Sequence, residues 1–241
     1  MNIKTKGIIF RSHKYGETSL IVEIYTETHG IQKYIVNGAR KSKSRLPASI
    51  LQVMSIVDIV AKYRSDKDLN RLLEVRPSYI YQQIPFDIRK GSIGLFMIEI
   101  ARKTIRESEE NQPLFNFLFN QFVALDQTEN SIANNHLWFL VHLSSFLGFA
   151  PGGVFSTKTP YFNLRDGIFE ESYVAHSKCL PPEQAAILSQ LVNIDISDVS
   201  KLKMKVEVRR ELLKNLIDYF RYHVESLSTI NSHQILRDVL E

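Results

Sequence analysis

A chain of 241 residues with 44% apolar side chains can bury one large core or two to three small ones. No stretch approaches eighteen uncharged apolar residues, the first apolar run is only Ile8–Phe10, and Cys179 is the single cysteine, so the expectation is no membrane span, no signal peptide, no disulfide framework and a cytoplasmic protein. The net charge of +4 is unevenly placed: residues 1–80 carry 14 Lys and Arg against 7 Asp and Glu, whereas residues 81–241 carry 16 against 19. The first third is therefore the basic part, suited to a polyanion or simply to a solvated basic face.

The first 80 residues predict strands. KGIIFRSHKYG, SLIVEIYTETHG, GIQKYIVNG, LQVMSIVDIVAKY and NRLLEVRP are short, rich in Ile, Val and Tyr, and punctuated by Gly and Pro. IQKYIV and SIVDIVAKY alternate polar with apolar positions, which implies one wet and one buried face. Five such strands fit a small closed barrel over residues 1–80, of OB type or, equally on periodicity, SH3-like.

Residues 81–241 read as a helical domain. Ile93, Phe96, Met97, Ile100, Ala101, Thr104 and Ile105 follow helical spacing and place Arg102, Lys103 and Arg106 on the wetter side. Pro113 opens a segment whose four phenylalanines, Phe115, Phe117, Phe119 and Phe122, predict a largely buried helix. NHLWFLVHLSSFLGF ends near Gly148, Pro181 and Pro182 start another helix, and a last long one carries Val206 to Leu227 with Arg209, Arg210, Lys214 and Arg221 around it. Residues 151–180 break this pattern and predict an insert, with YFNLRDGIFEES as a hairpin turning at Arg165-Asp166-Gly167. The fold class is thus α+β.

The chemistry of most enzymes is missing. There is no G-x-x-x-x-G-K-[ST], G-x-G-x-x-G or G-x-S-x-G pattern. The seven histidines, His13, His29, His136, His142, His176, His223 and His233, form no metal-ligand spacing. Glu107, Glu109 and Glu110 read as a solvated helix end, and Cys179 has no nucleophile signature. Neither catalysis nor a cofactor is expected.

The strongest positive signal is NGARKSKSRLP. Arg40, Lys41, Lys43 and Arg45 place four cations over six positions, a density comparable to that of a single-stranded phosphate backbone. Ser42 and Ser44 keep the segment small and can donate to phosphate oxygens. Lys4, Lys6, Arg11 and Lys14 form a second basic group, with Tyr15 and Tyr34 as candidate stacking surfaces.

At this point the stretch KGIIFRSHKYGETSLIVEIYTETHGIQKYIVNGARKSKSR resembles the amino-terminal signature of the bacterial RecO family of recombination and repair mediators, and SFLGFAPGG resembles that family's L-G-x-x-P segment. The resemblance implies an OB-fold at 1–80 and a helical domain at 81–241. It also implies binding of single- and double-stranded DNA, strand annealing without nucleotide hydrolysis, and action with RecR to help RecA replace single-strand binding protein. By the same resemblance Arg40, Lys41, Lys43 and Arg45 are the first phosphate contacts and Arg11, Lys14 and Tyr15 the next.

Many relatives carry four zinc-binding cysteines after the L-G-x-x-P segment, where this chain has PYFNLRDGIFEES and only Cys179. No metal is carried over. Tyr161, Phe162, Leu164, Ile168 and Phe169 are expected to hold the hairpin as an apolar cluster instead. The acidic, aromatic-ended tail of single-strand binding protein would suit an apolar groove rimmed by Arg102, Lys103, Arg106, Arg209 or Arg210. The alternative from another class is a protein-interaction adaptor whose basic barrel binds RNA or an acidic protein.

Overall fold

The computed structural model describes residues 1–64, 66–106, 109–173 and 178–240. Glu107 and His176 therefore lie outside the described residues. Strands β1 (Asn2–Tyr15), β2 (Ser19–Thr26), β3 (Gly30–Val36), β4 (Ile56–Lys62) and β5 (Asn70–Tyr79) form a closed barrel in the order β1-β2-β3-β5-β4. β1 serves twice: Asn2–Ile8 pairs with β4 and Gly7–Tyr15 with β2, with a bulge between Ile9 and Arg11 that bends the strand from one neighbour to the other. β3 and β5 close the barrel in parallel through Tyr34 opposite Asn70 and Ile35 opposite Arg71. This is the OB-type arrangement, which decides the choice that periodicity left open.

Alternating side chains fill the barrel, among them Ile9, Val22, Ile24, Val36, Leu51, Val57 and Ile59. Tyr34 is one of them, fully buried with its hydroxyl unpartnered among the described residues, so it is a core residue and not a stacking surface for a ligand. Burial, with a smaller contribution from Tyr63, drives its phenol well above the ordinary value. On the other face of the sheet Ile8, Phe10 and Tyr25 are buried as well. Their cover is helix α2 (Gln112–Gln127): Tyr25 stacks on Phe10 at 5.4 Å and meets Phe115 at 5.9 Å.

The chain accordingly divides into two compact units, Met1–Asp87 with Ile105–Gln127, and Ile88–Thr104 with Thr128–Glu241. Within the first, Asp126 near the end of α2 is wholly buried, and its carboxylate accepts the N–H groups of Gln82, Gln83 and Ile84 at 2.9 Å each and the Tyr79 hydroxyl at 3.0 Å. Burial alone would raise its pKa; those donors outweigh it and hold the carboxyl below the usual range. Of the four phenylalanines of α2, Phe115 and Phe122 are buried and Phe117 and Phe119 only half so.

The second unit holds α1 (Ile88–Thr104), α3 (Asn135–Phe146), α4 (Pro182–Asn193), a 3-10 turn (Ile196–Lys201), α5 (Val206–His223) and α6 (Ser232–Val239). α3 runs through its middle with Leu137, Phe139, Leu140 and Leu143 buried, and the Trp138 indole donates to the Ile194 carbonyl at 2.9 Å. α6 has no counterpart among the expected elements. It is tied to α1 by Glu99, which accepts the N–H groups of Asn231 at 3.1 Å and Ser232 at 2.8 Å, the Ser232 hydroxyl, and Lys103 at 2.6 Å. Among the described residues no helix is long and apolar enough to cross a membrane.

The insert forms a three-stranded sheet, β7-β6-β8, from β6 (Tyr161–Asn163), β7 (Ile168–Glu170) and β8 (Cys179–Leu180). Gly167 takes the left-handed conformation that the turn requires, φ 71°. Phe162, Leu164 and Phe169 are buried as expected, but Ile168 is 43% exposed and Tyr161 only half-buried, because in so short a sheet alternate residues face outward. Their place in the cluster is taken by Tyr219 of α5, whose ring meets Phe162 at 5.6 Å, and by Phe149, stacked on His223 at 5.1 Å. Asn163, buried at the turn, donates to Asp166 at 2.6 Å and to Glu170 at 3.2 Å. These residues do not fit a cysteine zinc site, and among the described residues no group of three or more His, Cys, Asp or Glu is placed to hold a metal. Adding a chelator should leave the melting temperature of the purified protein unchanged; a drop of several degrees would mean that a structural ion holds the hairpin.

Candidate nucleic-acid interface and a basic groove

The connection from β3 to β4 carries the cationic cluster. It is a chain of turns rather than a loose arm: the Arg40 N–H donates to the Thr18 carbonyl at 3.0 Å, Lys41 to Gly38 at 3.0 Å, Ser44 to Lys41 at 3.2 Å and Ala48 to Ala39 at 3.1 Å. The Arg40 guanidinium also reaches the Glu17 carbonyl at 2.9 Å, docking the loop on the β1–β2 turn. Ser44 accepts the Leu46 N–H at 3.2 Å, so it serves the loop's own geometry. Buried Ala39 and Leu51 and half-buried Leu46, Ala48 and Ile50 anchor the connection to the barrel core.

The result is that Arg40, Lys41, Lys43 and Arg45 are all exposed, and among the described residues none of them has a carboxylate partner. Fixed backbone beneath cations that no carboxylate neutralises favours a polyanion, since little loop entropy is lost on binding. Arg11, Lys14 and Tyr15 are exposed on the last part of β1, also without an ion pair among the described residues. Lys14 and Arg40 line one shallow cleft, which brings the first and second groups of candidates to the same end of the barrel. Lys6 instead lies over the Phe119 ring of α2 at 5.8 Å.

In the second unit α5 and α6 enclose a groove of about 300 Å³. Leu213, Ile217, Leu236 and Leu240 supply apolar walls, and Arg209, Arg210, Lys214, Arg221 and Arg237 supply cations. Arg209 is aimed by Asn134, which accepts from its Nε at 2.9 Å while donating its own amide to the Leu202 carbonyl at 2.7 Å. His136 of α3 also lines the groove, with Nδ1 buried and unpartnered among the described residues; burial first, and Arg209 second, lower its pKa to about 3, so it is neutral. Of the cations expected to form a protein-binding face, only Arg209 and Arg210 are here. Lys103 is engaged by Glu99 and the Thr229 carbonyl, Arg102 is half-buried on α1, and Arg106 belongs to the first unit. Arg237 could not be placed beside the groove from sequence because α6 itself was not expected; the signal available was the spacing of Arg210, Lys214 and Arg221 along one helix.

A closed OB-type barrel, followed by helices and carrying a cation-rich connection, defines the general class of this α+β protein. Comparison of the sequence with known families adds the specific one. Residues 1–81 match the model of the recombination protein O N terminal region and residues 85–229 that of the recombination protein O C terminal region. The chain is 34% identical over 241 residues to a DNA repair protein RecO of Christiangramia forsetii, covering 99% of both chains. Proteins of the same description from Flavobacterium johnsoniae and Bacteroides fragilis are 33% identical over 240 residues and 31% over 239, again with 99% of each chain covered. The chain belongs to the RecO family of DNA repair proteins, and its role is in recombinational repair.

Proposed function

We propose that the chain is a non-enzymatic mediator that binds single- and double-stranded DNA on its barrel, anneals complementary strands and, with RecR, assists RecA to replace single-strand binding protein, working at the nucleoid. The observation that carries this reading is the set of exposed cations Arg40, Lys41, Lys43 and Arg45 on a connection pinned to the barrel. Cations lying between two phosphate backbones lower their mutual repulsion, so annealing needs proximity and neutralisation but no bond chemistry. Arg11, Lys14 and Tyr15 extend the same surface.

The groove between α5 and α6 supports a second contact, with the C-terminal tail of single-strand binding protein. An acidic chain end with an apolar residue matches apolar walls rimmed by five Lys and Arg side chains.

Fluorescence anisotropy of a labelled oligonucleotide against salt tests the first contact. Changing Arg40, Lys41, Lys43 and Arg45 together to alanine should reduce the magnitude of the logarithmic salt slope by about 0.7 per lost contact, about 3 in all. Unchanged affinity and slope in a folded variant would move the DNA elsewhere. Negligible DNA binding by the wild type, with tight binding of RNA or an acidic protein, would favour the adaptor reading.

A further inference from the structure

The cleft shared by Lys14 and Arg40 has a composition that phosphate binding does not use. Its volume is about 340 Å³, at the small end of ligand cavities. Half-buried Ala48 and Val53 give it an apolar wall, backed by the core residues Leu20 and Leu51. Its polar side chains are Ser12, His13, Lys14, Arg40 and Gln52. Of these only Arg40 makes a side-chain hydrogen bond to the described residues, to the Glu17 carbonyl at 2.9 Å. Solvated polar groups beside an apolar surface can exchange water for a ligand that is itself apolar on its faces and polar at its edges.

We infer that this cleft receives one unstacked nucleobase of a DNA single strand, an inference that rests on the barrel being the DNA-binding face. A flat face of a base suits the Ala48 and Val53 wall. The Gln52 carboxamide, one donor group and one acceptor, can meet the edge of any base, since each edge presents acceptors or donors. The phosphates on either side of that base then fall to the exposed cations Lys14 and Arg40. A bare anion would leave the apolar walls without a role, and a duplex keeps its bases stacked and paired, so the cleft selects a single strand. With one base held in the cleft, the remaining Watson–Crick edges stay free to pair.

The test compares, on the full-length protein by anisotropy at fixed salt, a labelled oligothymidine strand with an abasic deoxyribose-phosphate strand of equal length. The wild type should bind the abasic strand about tenfold more weakly, the scale of losing contact to one base. Ser12→Phe, which fills the cleft, and Gln52→Ala, at an exposed position that folding does not depend on, should shrink that gap to below about threefold. Tyr15→Ala should shrink it less than either cleft variant does, because stacking on Tyr15 is a second, separate base contact. Equal affinity of the wild type for the two strands overturns the inference and leaves the phosphate site standing. So does a gap that survives both cleft variants, or one that Tyr15→Ala abolishes. Failure to bind either strand overturns the DNA reading itself.

Discussion

Asp126→Ala should destabilise the first unit by about 3–5 kcal/mol, the largest single effect expected outside the barrel core. The carboxylate answers three backbone N–H groups, of Gln82, Gln83 and Ile84, and the Tyr79 hydroxyl, and Asp126 has no exposed surface. Truncation leaves these donors facing an apolar gap, at about 1–3 kcal/mol for each group that water cannot reach. Asp126→Asn keeps one oxygen acceptor and should fall between wild type and alanine. Because the native carboxyl sits below its ordinary pKa, its contribution is present above that ordinary value and is lost as the pH falls below it. Hydrogen exchange is the sharper readout: the amides of Gln82, Gln83 and Ile84 should become fast in the alanine variant. A loss under about 1 kcal/mol with those amides still protected would refute this role.

Glu99→Gln is expected to act at a distance, on the groove it does not line. Its carboxylate holds the first turn of α6, and α6 with the Leu240 that follows it supplies Leu236, Arg237 and Leu240 to one wall. Charged hydrogen bonds of this kind contribute about 1.5–3 kcal/mol, so the variant should lose about 2 kcal/mol of local stability. Binding of an acidic peptide ending in an aromatic residue should weaken about tenfold through α6 detaching. Burial opposes the charge of Glu99, yet Lys103, Ser232 and Asn231 together lower its pKa from 4.5 to about 2. A carboxyl depressed in the folded state stabilises fully above pH 4.5, and that stabilisation fades as the pH falls towards 2. The wild type should therefore release the peptide in acid along a curve that Glu99→Gln lacks. Identical acid profiles for the two proteins would count against the clip.

The barrel was legible because each strand wrote its own signal: β-branched runs bounded by Gly, with two-residue alternation. That signal also contained the fate of Tyr34, two positions before buried Val36 and so on the same inward face. Its place beside the basic cluster, and not its register, is what made it a candidate ring. α6 was illegible for a different reason. Eight residues carry barely two turns, and its anchor, Glu99, stands 133 residues before Ser232. The cationic cluster could be read from composition alone, but its rigidity could not, since it depends on contacts such as Arg40 to Glu17 between segments that only the closed barrel brings together. The hairpin shows both limits at once: the turn at Gly167 is local and readable, whereas the ring that completes its core comes from Tyr219, far along the chain.

The path of the chain has a consequence for its birth on the ribosome. The last barrel strand ends at Tyr79, but the faces of Ile8, Phe10 and Tyr25 wait for α2, which ends at Gln127. In between, α1 emerges as a helix whose own partners, α3 and α6, have yet to be made. At about 5–20 residues per second, the 40 residues from Asp87 to Gln127 take about 2–8 s. For that interval the nascent chain presents an uncovered apolar barrel face together with an unpacked helix.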